Sequence, residues 1–524
     1  MNVAFDPWVP VVTLDGKRQL VSLSDVFKNG TNYADLAVRP HERVSLMRLF
    51  LCVAHAALEG PKDYDEWFLV PERLPIAAEA YLIKWRDSFE LFHPQKPWLQ
   101  VAEITKDGAN KKNHTEISDW TPVSKLNFSY ATGNNTTFFD HQGSSNERKI
   151  FIEETLLSML SFQCFSTGGL IAQVFWNGQK SQKTSKDSPC VSSSMIHAFL
   201  RGNQIGATIH LNLPTHEDIR FSYGERPIGH PVWEMMPSSF ADSPCMKNAT
   251  ETYIGRLVPL TRLIHLHPGG ERMLLGDGLP YLTFQDGFPP EPTATVVVRQ
   301  FKKKESRNLL KYNPEKALWR ELSALLVMRK ADGLGGPLSL RSIRVGENCD
   351  LIVSALARSQ ATIVDTKESV FHIPSRLRSD RGTASYEAGV KNAEALANRL
   401  GWAIEGYRSE IDNGWEGRLK SAGSNKGTLK YKLHALATTN YWTTVEKNLP
   451  LLMAHIEAID SAEAIPTQKR WQKMLFSTTC DAFRTVCGQE TPRQIRAFAK
   501  GWRRLVSKIN EQESNTLEII EEEA

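Results

Sequence analysis

Residues 491–509 read TPRQIRAFAKGWRRLVSKI, and this stretch decides the fold of the C-terminal part. Thr491 suits a helix N-cap, and Pro492 the first helical position, where a missing N–H loses nothing. Gln494 suits the third position, where its side chain can reach back to the cap. Ile495, Phe498, Trp502, Leu505 and Ile509 then recur at three- and four-residue spacing, which marks one apolar face. The same period appears further back. It runs through Trp471, Leu475, Ala482 and Val486 in a helix opening near Thr467. It runs through Leu429, Leu433, Leu436 and Tyr441 in another, which Pro450 kinks or divides, and through Val390, Ala393, Ala397, Leu400, Ile404 and Tyr407. Four amphipathic helices with short joints predict a four-helix bundle over residues 383–510, followed by an acidic tail at 511–524.

Ahead of the bundle the pattern changes. Val9, Val11 and Leu14 lead into Asp15-Gly16, and Leu20, Val21 and Leu23 follow, which predicts a hairpin closed by a type I′ turn with positive φ at both central positions. Leu46, Leu49, Phe50, Val53 and Ala57 predict a helix ended by Gly60-Pro61. Residues 100–150 are polar. Residues 106–113 (KDGANKKN) and 178–188 (GQKSQKTSKDS) read as surface loops, the second as a candidate for local disorder. Residues 214–292 are dense in Pro and Gly without helical period and read as short strands and long loops. A strand at 293–298 runs into the basic string RQFKKK at 299–304. The expected fold class is α+β: a large mixed N-terminal domain over residues 1–380, followed by the all-α C-terminal four-helix bundle.

Composition bounds the function. The 524 residues are 41% hydrophobic and 23% charged, enough to bury real cores, so wholesale disorder is excluded. The net charge is +4; the final fourteen residues hold six Glu and no Lys or Arg, which leaves the rest at +10. A mildly basic body is compatible with nucleic acid. No run of 18 apolar residues exists, and the N-terminus lacks a basic region and an apolar core, so neither a membrane span nor a secretory signal is expected. Seven scattered cysteines without a CxxC predict a reduced, cytoplasmic protein with no disulfide framework and no Cys-rich zinc site.

Motifs for catalysis are missing. GxxxxGK[ST], GxGxxG and GxSxG do not occur, and His216-Glu217 lacks a second His four residues on. His265 and His267 alternate as on a strand face, with no third metal ligand near in sequence. Cys480 and Cys487 read as buried small hydrophobes. Features suited to nucleic acid are more numerous. Lys302, Lys303 and Lys304 precede Arg307 and Lys311. Arg376, Arg378 and Arg381 form a second basic loop. Arg493, Arg496, Lys500, Arg503, Arg504 and Lys508 make a basic stripe on the last helix. Each suits phosphate contacts or, as the competing reading, a solvated surface. Residues 134–142 (NNTTFFDHQ) put Phe rings in a polar segment, which suits base stacking or insertion into a partner protein; burial under the loop is the alternative.

Several segments together resemble one family. They are residues 5–11 (FDPWVPV), 21–27 (VSLSDVF), 89–100 (FELFHPQKPWLQ), 198–213 (AFLRGNQIGATIHLNL), 351–363 (LIVSALARSQATI) and the terminal bundle. In order and spacing they are similar to the large subunit of the type I-E CRISPR surveillance complex, the CasA family of Cascade, across nearly the whole chain. The resemblance implies a non-catalytic, DNA-reading subunit without cofactor or metal. Its implied partners are the other Cascade subunits, the CRISPR guide RNA, double-stranded target DNA and a helicase–nuclease, with no membrane. Guide pairing reads the target, while the protein reads a short adjacent motif, the PAM, and helps open the duplex, a division of labour known in another effector.

Residue roles follow from the resemblance alone. The family's wedge hairpin, with Gln at its tip, matches Ser359-Gln360-Ala361. Its glycine-rich minor-groove loop matches Ser166 followed by Thr167, Gly168 and Gly169, where missing side chains permit close backbone approach. Its loop docking on the guide's 5′ end and on neighbouring subunits matches Phe138, followed by Phe139 and Asp140. Its lysines along displaced DNA fall near Arg299, Lys302, Lys303 and Lys304. A further minor-groove lysine of the family has no counterpart, since that position reads Asp277-Gly278-Leu279-Pro280. Where some members bear a cysteine cluster, only Cys245 stands here. The competing classes are a metal-dependent nuclease or hydrolase with an unrecognised site, and a structural adaptor whose bundle binds proteins.

Overall fold

Asp15-Gly16 does close a hairpin, of a different kind from the one expected. Strands Val9–Thr13 and Arg18–Val21 pair antiparallel from Val9↔Val21 to Val12↔Arg18. Only Gly16 has positive φ, at 84°, and its N–H donates to the Thr13 carbonyl at 2.9 Å. That is a type I turn followed by a left-handed glycine, the three-residue loop, because Asp15 stays in the ordinary region. Leu23 does not continue the strand. Ser22 caps a helix at Leu23–Lys28, its Oγ accepting the Asp25 N–H at 3.0 Å. Tyr33–Leu36 completes this three-stranded sheet.

The computed structural model describes residues 1–524 except 103, 107–119, 131–149, 170, 172, 182–185, 302–303, 344–345, 360–361, 413–428 and 508–524. The chain divides into two units, Met1–His372 and Ile373–Ala524. No helix among the described residues is long and apolar enough to cross a membrane.

In the first unit the helix Pro40–Leu58 is the centre of the core, with every residue from His41 to His55 buried. Pro40 opens it, and the Glu42 carboxylate accepts the Arg39 N–H at 2.8 Å. It packs on the helices Val70–Lys84, Ile152–Phe165 and Tyr253–Leu257 and on the strand Cys349–Ser359. Full burial leaves its Arg48 no water, so Arg48 meets Glu291 at 2.8 Å, and Arg256 meets the same carboxylate at 2.7 Å. Burial alone would raise Glu291, but the two guanidiniums outweigh it and hold the group at about 2. Two segments distant in sequence meet where Trp8 packs against Trp98, ring centroids 6.1 Å apart.

Residues 214–292 correct the expectation of strands and loops. Three helices lie there, His216–Tyr223, Ser243–Glu251 and Tyr253–Leu257, capped by the side chains of Thr215, Asp242 and Thr252. At five to nine residues they are too short to show a helical period, and only their caps mark them. Strands Arg262–Leu266 and Arg272–Asp277 follow as an antiparallel pair. The strand expected at 293–298 begins later, at Val296–Phe301.

The second unit is helical. Its helices are Asp380–Asp412, Leu429–Lys447, Leu449–Glu457, Ala464–Val486 and Pro492–Val506, and they pack as the expected bundle, with the second helix divided at Asn448 just before Pro450. The Thr491 and Gln494 capping box forms as the sequence predicts. The apolar face of the last helix is rotated from the expected one. Ala497, Gly501 and Leu505 are buried, while Ile495 is 55% exposed. Gly501 explains the rotation: a Cβ there would lie 2.6 Å from Phe483 Cζ and 2.8 Å from the Ala403 carbonyl oxygen. The missing side chain lets this helix approach Asp380–Asp412 closely, which turns Ile495 outward.

Candidate nucleic-acid interface

Of the segment matched to the wedge, Ser359 ends the strand Cys349–Ser359. Strands Cys349–Ser359 and Thr362–Ile373 are hydrogen-bonded neighbours, and Ile196–Arg201 lies on the other side of the first. Leu351↔Leu200, Ile352↔Phe199 and Val353↔Ala198 pair antiparallel, so two of the segments that carry the family resemblance lie side by side. Leu351 through Ala357 are buried, as in a central strand covered on both faces. Pairing with Ile196 ends at Ala355. Beyond it the strand runs on to Ser359, which is exposed. Gln360 and Ala361 lie outside the described residues.

The end of this strand is held at Arg358. Its backbone N–H donates to Ser194 Oγ at 3.2 Å, and its guanidinium pairs with Asp187. Ser193 and Ser194 have φ of 59° and 50°, a conformation that costs about 1–3 kcal/mol per non-glycine residue. That turn is what aims the Ser194 hydroxyl at the hairpin.

The glycine loop lies on the other side of Asp187. It leaves the C-terminus of the helix Ile152–Phe165 at Ser166, whose carbonyl accepts the Ser188 N–H at 2.9 Å. The Gly168 N–H donates to Asp187 Oδ1 at 2.8 Å, and Arg262 Nη2 donates to the Thr167 carbonyl at 3.0 Å. Arg262 is itself buried and stands 3.8 Å from Asp277. Burial lowers its pKa, with Asp277 and Asp187 opposing that shift. Thr167, Gly168 and Gly169 are partly exposed, so the loop presents backbone to solvent while its rear is fixed by charge.

The position without the family's lysine lies in this rear layer. Asp277 is fully buried, and a Cβ at Gly278 would lie 2.5 Å from the Leu260 carbonyl oxygen. No long side chain fits at Gly278, and Asp277 supports Arg262 behind the loop.

Of the basic string 299–304, residues Arg299 to Phe301 end one strand and Lys304 begins the next. Strands Val296–Phe301 and Lys304–Leu309 pair with Phe301↔Lys304 and Arg299↔Ser306, which puts Arg299 and Lys304 on one face. Both are exposed. Lys302 and Lys303 lie outside the described residues, as do Phe138, Phe139 and Asp140 of the docking loop. Arg307 is drawn to Asp332 at 3.1 Å.

The other basic features belong to the helical unit, where acids answer Arg376, Arg381, Arg496 and Lys500. Arg376 and Arg381 both pair with Asp460. Arg496 and Lys500 meet Glu410 at 2.7 and 3.1 Å, and Arg504 stacks on Trp402. Lys508 and the acidic tail lie outside the described residues. His265 and His267 flank Trp120, and His265 Nδ1 lies 3.0 Å from the Val101 carbonyl oxygen, the pattern of a structural strand face. Among the described residues no three His, Cys, Asp or Glu are grouped so as to hold a metal ion.

Sequence reasoning brought out the loop and the hairpin but not what joins them. Asp187 lies in a stretch read as a surface loop and a candidate for local disorder, yet it is only 14% exposed and touches both elements. A lone acid among lysines was the available signal.

The sequence pattern of the family described as CRISPR-associated protein Cse1 matches residues 2–482. The CRISPR-associated protein CasA/Cse1 of Thermus thermophilus is 26% identical, over 98% of both chains. The crystal structure of Thermobifida fusca Cse1 superposes with a TM-score of 0.75 at 18% identity, covering 98% of each chain. A chain of a CRISPR RNA-guided surveillance complex superposes with a TM-score of 0.69 at 16% identity, covering 96% of this chain and 99% of that one. The first match spans most of the sequence and the others share the fold: the chain belongs to the CRISPR-associated Cse1 family.

Proposed function

We propose that the chain is the non-catalytic large subunit of a type I-E CRISPR surveillance complex in the cytoplasm. In this reading it recognises the adjacent motif in double-stranded DNA, opens the duplex for R-loop formation, and recruits a helicase–nuclease. The observation that carries the reading is the Asp187 bridge, which joins a glycine backbone loop to the end of the strand Cys349–Ser359. Backbone at Thr167, Gly168 and Gly169 suits a minor groove, where close approach and hydrogen bonding matter more than side-chain volume. Gln360 at the hairpin tip would enter the stack, its amide replacing base-edge hydrogen bonds while Ser359 and Ala361 give it room. Arg299 and Lys302 to Lys304 would follow phosphates without reading sequence. Phe138, with Phe139 and Asp140, would dock on the guide RNA and the other subunits.

The test is reconstitution of the guide-bearing complex with and without this chain on targets whose flanking bases are randomised. R-loops should form on a restricted set of flanks, and only when the chain is present. R-loop formation independent of the flank, or equal without the chain, would refute the reading.

A further inference from the structure

The carbonyl of Thr167 and the N–H of Gly168 belong to one peptide bond. Arg262 holds the carbonyl at 3.0 Å and Asp187 holds the N–H at 2.8 Å, so charged partners fix this peptide plane at both ends. The second oxygen of Asp187 takes the Arg358 guanidinium. Arg358 stands three residues past Ala355, where the flanking strand Ile196–Arg201 has ended. The hairpin end is therefore steadied on that side by Asp187 and by Ser194 Oγ.

We infer that Asp187 and Arg358 are positioning residues that couple motif reading by the glycine loop to duplex opening by the hairpin. The inference rests on the function proposed above and adds a route between its two parts. One carboxylate serves both segments, so a duplex that displaces the Thr167–Gly168 peptide moves the acceptor that holds Arg358. A motif that seats the loop correctly leaves the hairpin end aligned for opening. A motif that tilts the peptide withdraws its support.

The test measures R-loop formation by the reconstituted complex on two targets, one fully paired and one unpaired beside the motif. Arg358→Gln removes the charge and leaves the Asp187 bond to Gly168 in place. It should slow R-loop formation on the paired target about tenfold, the size expected for losing one charge-assisted hydrogen bond. On the pre-opened target it should change the rate less than twofold. Arg358→Lys should restore most of the loss. Asp187→Asn, as a second variant, should reproduce the paired-target defect and also weaken discrimination between motifs. Combining Arg358→Gln with Gln360→Ala should add little to either alone, because both act at the same step. A purely structural role would lower both targets equally, and that result would overturn the coupling. If Gln360→Ala slows only the paired target while Arg358→Gln changes nothing, the coupling fails and the proposed function stands. If Gln360→Ala has no paired-target defect, both fall together.

Discussion

Arg358 in the first unit and Arg376 in the second both lie in segments that the sequence offers as DNA contacts. Arg358 is one-quarter exposed, and its carboxylate partner also holds a backbone N–H from a different loop. Arg376 shares Asp460 with Arg381, and all three side chains are well exposed. The first arrangement fixes chain geometry; the second is a solvated pair of the sort that contributes little. Counting basic residues therefore does not locate a nucleic-acid surface. What distinguishes the candidate interface is charge turned inward to shape a backbone, while Arg299 and Lys304 of the first unit remain outward.

The contrast between the two units can be tested in four places, three of them through charge. Glu291→Ala would leave Arg48 and Arg256 buried without their carboxylate, and should destabilise the first unit by about 3–5 kcal/mol in urea denaturation. A loss below about 1 kcal/mol would make the buried charges of the first unit no stronger than the exposed ones of the second.

Mild acid should act next. Burial holds His41 and His55 down at about 3 and His197 at about 4, all in the first unit. Each stays neutral when folded, while the unfolded chain takes up its proton near pH 6.5. The unfolded state then binds more protons, so this stability is complete above about 6.5 and is lost as pH falls toward the folded values. Between pH 6.5 and 5 each histidine should contribute a slope of up to about 1.4 kcal/mol per pH unit. The second unit has the buried His455, also lowered by burial, against three such histidines in the first, and should respond less. Melting of the two units followed separately across this range checks the order; equal sensitivity would contradict it.

Gly501→Val should destabilise the bundle by about 1–3 kcal/mol, because its side chain collides with Phe483 and the Ala403 carbonyl. An unchanged melting temperature would mean the helices separate freely there. Asp460→Ala should have the smallest effect, about 0–1 kcal/mol. A larger loss would give the helical unit a charge cluster of the kind found in the first.

How much the sequence reveals follows the distance between partners. The Thr491–Gln494 box and the Asp15-Gly16 hairpin are written within a few residues and were legible, though not the turn type. The helices His216–Tyr223, Ser243–Glu251 and Tyr253–Leu257 were not, since none is long enough to repeat its apolar face. Ile495 misled because Gly501, not the apolar count, sets which face is buried. Thr167 to Gly169 and Ser359 to Ala361 emerged only through the family resemblance, as short polar turns have no signature of their own. Asp187, Arg262 and Ser194 stayed hidden because their partners lie 19, 95 and 164 residues away. Arg496 and Lys500 looked free for the same reason, with Glu410 about ninety residues distant.

In the proposed function a clamped hairpin opens DNA beside a motif read by backbone, and Gln360→Ala probes that step. Splitting the first pair opposes a stacking and pairing step worth about 0.6–2.2 kcal/mol, which the Gln side chain would offset. R-loop formation by the reconstituted complex should slow on a fully paired target and stay close to wild type on one already mismatched beside the motif. An equal loss on both targets, or none on either, would contradict the account.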